Sequence, residues 1–595
     1  MFRPRVSFWS LRKCSIRTTL MASEPAAQVV LCWHMHQPGY QDLQTGAFLF
    51  PWVYLHTIKD YSDMAAHLEA HSDAKAVVNF APVLLDQIET YLTQIERWRH
   101  GAGEIGDPLL AALVAETLPE AGSPSFLELV EKCLRANRER IIGRFPAFSR
   151  LAEIAGFYRS KPELQRYISS SFLADLLVWY HLGWMGEDLR RKNDCIRSLQ
   201  EKGAGFTMED RRALMEVIFE TLASIGPRYR RLAEKGQVEL AVSPYAHPML
   251  PLLLDLGSAR EALPEISLPV HEHYPGGEVR ARWHLARAKE VFQRFFGLEP
   301  SGCWASEGGL SQPTLALLHE QGFVWTASGD SVLHNSYNKA KPGAREAGKA
   351  NIHTPWRFGD APITVYFRDD GLSDLIGFNY ADWHARDAVG DLVHHMETIA
   401  SHKGGRPEPC VISVILDGEN AWEYFPENGF YFLDELYQVL ANHPRLQMTT
   451  YRELAERAAT AASELPGLVS GSWIYGTFST WIGDSDKNRA WDLLCEAKLH
   501  FDRVMDNGSL TAEQKEKAAM QLALCEGSDW FWWFGDYNPA QIVSDFEHLY
   551  RRHLVNLYEL IGYPAPPSVF QQLSQGGGEP ARGGAMRPGH TEGPA

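Results

Sequence analysis

Two carboxylates at the ends of apolar runs are the residues of this chain whose type and setting best suit chemistry. Residues 411–416, VISVIL, form a short β-branched run of the kind buried on both faces of a sheet. Asp417 ends the run, Gly418 permits a sharp turn, and Glu419, Trp422 and Glu423 follow within the next six positions. A second stretch, PSGCWASEGG over 300–309, carries Trp304 and Glu307 into a Gly-Gly turn. An Asp at one strand end and a Glu at another are the groups for acid–base or nucleophilic work on a glycosidic bond. The plain alternative is two solvated loop acids.

A third strand end carries bases instead of acids. The run QVVLCW (28–33) leads into His34-Met35-His36-Gln37-Pro38, and histidines two apart on an extended segment point the same way. Such a pair can serve a metal, given a third ligand, or grip hydroxyl groups, or be purely structural. The run GQVELAV (236–242) ends at Ser243-Pro244-Tyr245-Ala246-His247-Pro248. Near the C-terminus, EGSDWFWWFGDYN (526–538) sets Trp530, Trp532 and Trp533 beside Ser528, Asp529 and Asp536, an apolar cluster that plugs a seam or stacks on a ligand.

These groups need a frame. Short apolar runs near residues 29, 77, 238, 303, 324, 365, 414 and 448 alternate with helical patterns, and most of the polar clusters fall just after a run. A parallel α/β barrel with seven or eight strands, its chemistry at the C-terminal strand ends, is the economical reading. Residues 86–235 read as a long helical insertion, in which DLLVWYHLGW (175–184) is apolar around most of its circumference. Beyond 452 the pattern is helical, broken by the aromatic segments 471–486 and 526–538. The expected division is a leader-like segment (1–27), a barrel with its insertion (28–452), a helical domain that contributes to the cleft (453–565) and a Gly/Pro-rich disordered tail (566–595).

The whole chain has 595 residues, 45% hydrophobic and 22% charged, with a formal net charge of −17. That charge argues against nucleic acid or an anionic membrane as the main partner. No apolar run reaches the ~18 residues of a spanning helix. Eight scattered cysteines without a CxxC argue against a zinc knuckle or a disulfide framework and fit a reducing compartment. Residues 1–23 hold five basic and no acidic residues before Met21, as an organelle transit peptide or an upstream start would. The expected location is cytoplasmic, or a plastid if that segment is a transit peptide.

Five separated blocks, HMHQP (34–38), GQVEL with YAHP (236–248), CWASE (303–307), ILDGENAWE (415–423) and GSDWFWW (527–533), resemble those of family 57 glycoside hydrolases, most nearly the amylopullulanase and α-amylase-like members. The resemblance covers about residues 28–560. It implies a seven-stranded (β/α) barrel followed by a helical bundle that lends its aromatic loop to the cleft. It further implies a retaining mechanism on α-1,4 linkages of an α-glucan polysaccharide or oligosaccharide, with α-1,6 linkages a further candidate. Glu307 would be the nucleophile and Asp417 the acid and then base. His34, His36, Gln37, Glu239, His247, Trp304, Asp529 and Trp530 would line the sugar subsites, with no cofactor and no metal. One turn departs from the pattern, since Tyr274-Pro275-Gly276-Gly277-Glu278 stands where an Asp-containing turn is expected.

For a retaining enzyme the carboxyl groups should lie about 5–5.5 Å apart. A polar shell should keep Glu307 ionised, while apolar walls such as Trp422 raise the pKa of Asp417. Three other readings stand beside this one: an α-glucan transglycosylase acting through the same intermediate, a metal-dependent polysaccharide deacetylase with His34 and His36 as ligands, and a non-catalytic glucan-binding protein.

Overall fold

The computed structural model describes residues 27–342, 351–402, 408–457 and 462–578. The transit-like segment, which ends at residue 23, lies outside the described residues. Among the described residues nine strands are formed: β1 (Ala27–Met35), β2 (Ala76–Phe80), β3 (Val238–Val242), β4 (Trp325–Gly329), β5 (Trp356–Phe358), β6 (Ala361–Arg368), β7 (Val411–Asp417), β8 (Leu446–Met448) and β9 (Ser463–Leu465).

Strands β3, β2, β1, β7, β6 and β4 pair in that order, every pair parallel. Gly302 bridges to Trp325 and Cys303 to Val242, so the ladder returns from β4 to β3 through two residues. The resulting architecture is barrel-like and mostly parallel, with helices around it. The expected strand at 303 is reduced to these bridges. A Cβ on Gly302 would come within 1.9 Å of the Trp325 ring, so the chain can pass here only as glycine before it bends to deliver Glu307. The run at 448 gives only the three residues of β8, paired to the first three of β1 at the end away from the polar clusters.

Registers decide which side chains meet. His34 lies level with Asp417 on one side and with Asn79 on the other. β1, β2 and β7 therefore end together, and their last side chains share one mouth. Strands buried on both faces explain the continuous apolar runs, since β2 and β3 are wholly buried and β1 almost so.

The insertion is helical as expected. Helix Ser170–Gly183 is buried along nearly its whole length, and the 27-residue helix Met208–Glu234 starts with a Thr207/Asp210 capping box. Three long helices, Ser485–Asp506, Ala512–Cys525 and Ala540–Leu560, form the C-terminal domain, with the short helix Ser528–Trp533 between the last two. The segment expected to be a disordered tail from 566 is in part packed onto this domain. Val569, Leu573 and Ser574 are buried, and the amides of Gly577 and Gly578 donate to the Asn538 carbonyl.

Candidate active site

A cavity of about 490 Å³ opens at the C-terminal ends of the strands. His34, His36, Gln37, His247, Glu307, Asp417 and Asp529 line it. The sequence thus spans almost 500 positions to build one site, and the last contributor comes from the helical domain. Trp52 and Trp184, and beyond the barrel Trp473, Trp532, Trp533 and Phe546, supply apolar walls.

Glu307 is held in a left-handed conformation, φ 60° and ψ 23°, which for a glutamate costs on the order of 1–3 kcal/mol. Two backbone bonds over-determine it: the Trp473 amide donates to the Glu307 carbonyl at 3.1 Å, and the Gly308 amide donates to Ala305 at 2.8 Å. Its carboxyl accepts from Ser528 Oγ at 2.8 Å and from the Trp473 indole at 3.2 Å, and His247 Nδ1 lies 3.7 Å away. His247, opposite, is also left-handed, with φ 59°.

Asp417 accepts from the Asn420 side-chain amide at 2.9 Å. Arg368, fully ringed by the Ile415 carbonyl, Asp370 and Asp374, lies 5.6 Å from the Trp473 ring centre and lines the same cavity. One buried guanidinium therefore stands between the strand that carries Asp417 and the indole that touches Glu307.

The histidine tautomers follow from their partners. His34 Nδ1 meets Asn79 Oδ1 at 2.6 Å, an atom that also accepts from Ser243, so the ring nitrogen donates. His36 Nε2 donates to Asp529 at 2.8 Å. Ser528 has one hydroxyl proton, given to Glu307, so His247 Nδ1 at 3.0 Å donates to Ser528. What remains on each ring is a buried nitrogen without a partner, Nε2 of His34, Nδ1 of His36 and Nε2 of His247. One ring nitrogen of each lies within 4.8 Å of the others.

A metal needs those lone pairs to meet at one point, about 2.0–2.1 Å from each nitrogen for zinc. The rings instead stack, His36 on His247 at 3.9 Å and 22°, His34 on His247 at 4.9 Å and 23°. The bonds to Asn79, Asp529 and Ser528 hold the three rings in this stack. The trio is arranged as a row of hydrogen-bonding nitrogens along one wall.

Burial governs ionisation here. The Glu307 carboxyl is pushed up to about 8 by burial, with the Asp529 charge adding to it and Ser528 and His36 acting against it. This corrects the expectation that the polar shell keeps Glu307 low, because desolvation outweighs the donors and five more carboxyl groups, Asp417, Glu419, Glu423, Asp529 and Asp545, line the same cavity. Burial likewise raises Asp417, opposed by Asn420, His36 and Arg368. Glu419 stands well above the usual range through burial and then the charges of Asp417 and Asp60, while Gln37 donates to it at 3.0 Å. Burial works to lower His36, but Asp529, Glu307 and Asp417 outweigh it and hold it above its ordinary value. Burial depresses His34 to about 3, and it holds His247 far below its ordinary value.

Three expected subsite residues are not brought to the cavity. Glu239, second in β3, sits at the opposite end of the barrel. There it accepts from the Trp325 indole at 2.6 Å, Ser301 at 2.9 Å and the Arg452 amide at 2.8 Å. Trp304 is fully buried behind His34, and it meets Trp473 edge to face at 5.3 Å. Trp530 is buried in the domain seam with its indole donating to the Leu524 carbonyl at 2.8 Å. Residues that sequence reasoning did not place are Ser528, Trp473, Arg368 and Asn420. Trp473 lay in the aromatic segment 471–486, Asn420 in the block 415–423 and Ser528 in the block 527–533, but nothing in those stretches gave the three residues their roles.

A model of glycosyl hydrolase family 57 matches residues 30–465. Among solved structures the chain is similar to a branching enzyme of that type from Pyrococcus horikoshii, with 15% identity, 92% of this chain and 93% of that chain covered, and a TM-score of 0.52. It is similar to a branching enzyme from Thermococcus kodakaraensis crystallised with glucose, with 15% identity, 96% and 97% covered, and a TM-score of 0.54. An α-amylase from Thermotoga maritima gives 13% identity, 91% and 95% covered, and a TM-score of 0.52. At these identities the likeness is one of fold. No curated protein matches.

Proposed function

From the premise that the chain belongs to glycosyl hydrolase family 57, we propose that it is a retaining enzyme acting on α-glucans, with Glu307 as nucleophile and Asp417 as acid and base. The observation that carries this reading is the facing of two kinds of group across one cavity, the carboxyls of Glu307 and Asp417 and the row of unpartnered ring nitrogens of His34, His36 and His247. Neutral sugar hydroxyls complement such a row, for they donate to the lone pairs that the neutral rings of His34 and His247 present.

In the first step Glu307, once ionised, attacks the anomeric carbon as Asp417 gives its proton to the leaving oxygen. In the second, Asp417 takes a proton from the incoming hydroxyl, the glycosyl–Glu307 ester breaks, and Glu307 leaves as a carboxylate. The raised setting of Asp417 suits an acid near neutrality. For Glu307, the donors Ser528 and Trp473 and the charge on His36 support the ionised form that attacks.

Water or a sugar hydroxyl resolves the same intermediate, which separates hydrolysis from branching or disproportionation. The largely apolar walls, Phe50, Trp532, Trp533 and Phe546 among them, favour a stacked sugar acceptor over bulk water and support the transferase reading. Incubation with amylose and with pullulan decides between them. New reducing ends in proportion to bonds broken identify hydrolysis, and new α-1,6 branches or redistributed chain lengths without reducing ends identify transfer. No change in either glucan would refute both.

A role for Asp417 is tested separately. Asp417→Ala should lose activity on natural glucan by about 10²-fold or more, yet form the intermediate from a glycosyl fluoride, whose leaving group needs little protonation. Azide should then restore turnover and yield a glycosyl azide of retained configuration. Equal losses on both substrates without rescue would assign protonation to another acid, Glu419 being nearest to hand.

A further inference from the structure

Glu307 is faced by groups from every side of the mouth: His36 from the end of β1, His247 after β3, Asp417 from β7, Trp473 from the loop before the helical domain, and Asp529 with Ser528 from the domain itself. Most of these line the cavity and are open to substrate. Ser528 is different, since it is fully buried, does not line the cavity, and has only protein partners for its hydroxyl. Its one proton goes to Glu307, and one of its two lone pairs accepts from His247 Nδ1–H. The donated and the accepted bond together orient the hydroxyl towards the Glu307 carboxyl.

The serine is itself tightly seated. Its amide donates to the His247 carbonyl at 2.9 Å, and the preceding Gly527 bridges to Pro248. One residue earlier, Glu526 is wholly buried and gripped from the barrel side. Arg280 donates to it from two nitrogens at 2.7–3.0 Å, His284 meets it at 2.7 Å, and Tyr274 donates through its hydroxyl. Tyr274 comes from the Tyr-Pro-Gly-Gly-Glu turn that departs from the family pattern. That turn requires Gly277, whose Cβ would fall 1.6 Å from the Leu253 carbonyl.

We propose that Ser528 is a positioning residue for the nucleophile, orienting Glu307 and favouring its ionised form, so that the helical domain supplies a working part of the catalytic apparatus and not only a sugar-binding wall. The proposal rests on reading Glu307 as the nucleophile. A hydrogen bond to a carboxylate is stronger than one to the neutral acid, so losing the donor raises the pKa of the acid.

Ser528→Ala should move the acidic limb of the kcat/KM pH profile upward by about one unit, lowering the rate about tenfold at a fixed pH below the limb, with KM within about twofold. Ser528→Cys, a weaker donor of similar size, should fall between the two. A limb that stays in place, or a loss confined to KM, would overturn the role. A readout independent of turnover is the double-mutant cycle of Ser528→Ala with Glu307→Gln in denaturant unfolding. Coupling should be larger at pH 9, where Glu307 is ionised, than at pH 5. If that pattern holds while no α-glucan is processed, the functional reading fails and the Ser528–Glu307 interaction stands. No pH-dependent coupling overturns the inference whatever the activity.

Discussion

Glu307 carries two stresses at once, a left-handed backbone and a buried carboxyl whose pKa stands near 8 against an unfolded value of 4.5. The sign of the second is definite. Below pH 4.5 both states hold the proton and the group is neutral towards folding. As pH rises to 8, unfolding releases the proton and stability falls. Above 8 the folded protein carries the full penalty of a buried charge. Glu307→Gln keeps the volume, has no proton to lose, and should be inactive. Its stability advantage over the parent should grow between pH 4.5 and 8 by on the order of 5 kcal/mol and then level off. Melting temperatures of both proteins from pH 4 to 9 check this, and parallel curves would show that the site does not strain the fold through this carboxyl.

At the scale of elements, the tryptophans of 528–533 separate into two roles. Trp530 is 1% exposed and packs in the seam, so Trp530→Ala should cost about 3–5 kcal/mol of stability. Trp533 reaches the cavity, where it stacks with Phe546 at 5.0 Å, and Trp533→Ala should raise KM about two- to tenfold with little change in kcat. A large kcat loss for Trp533→Ala with KM unchanged would contradict a binding role. The sequence did not distinguish these residues, because a helix of six residues has too few turns to give its phase. The strands were more legible, since β1, β2, β3 and β7 are buried on both faces and show it as unbroken apolar runs followed by polar residues. Glu239 was misplaced for a related reason. In Val-Glu-Leu-Ala-Val the acid stands near the strand's start, and a parallel strand starts at the barrel end away from the mouth. Ser528 was visible as a polar residue beside Asp529, but its contact was not, and Arg368 gave no signal of its own, since their importance is purely tertiary: one serine 2.8 Å from a residue 221 positions earlier, one arginine bonded to the neighbouring strand.

Over the whole molecule, the change from alternating strands and helices to helices alone was readable from periodicity, but the seam where the C-terminal helices meet the sheet was not. Its centre is the Arg280–Glu526 pair. Burial works to raise Glu526, but Arg280 and His284 overcome it and hold the carboxyl down at about 2. A depressed carboxyl contributes stability above its unfolded pKa and loses it as pH falls, here between 4.5 and 2. Arg280→Met should cost about 3–5 kcal/mol because it strands a buried charge. It should also lower activity by unseating Ser528 and Asp529, although Arg280 does not line the cavity. Activity that survives intact in a folded Arg280→Met protein would show that the seam and the site are independent.

The placement of Ser528 and Asp529 late in the chain also has a consequence in time. A ribosome that has released every barrel strand has yet to make the two residues that hold Glu307 and His36 in place. Until helix Ser528–Trp533 emerges and docks, Glu307 lacks its hydrogen-bond donor and His36 its acid, so the cavity is completed only after every barrel strand has been made.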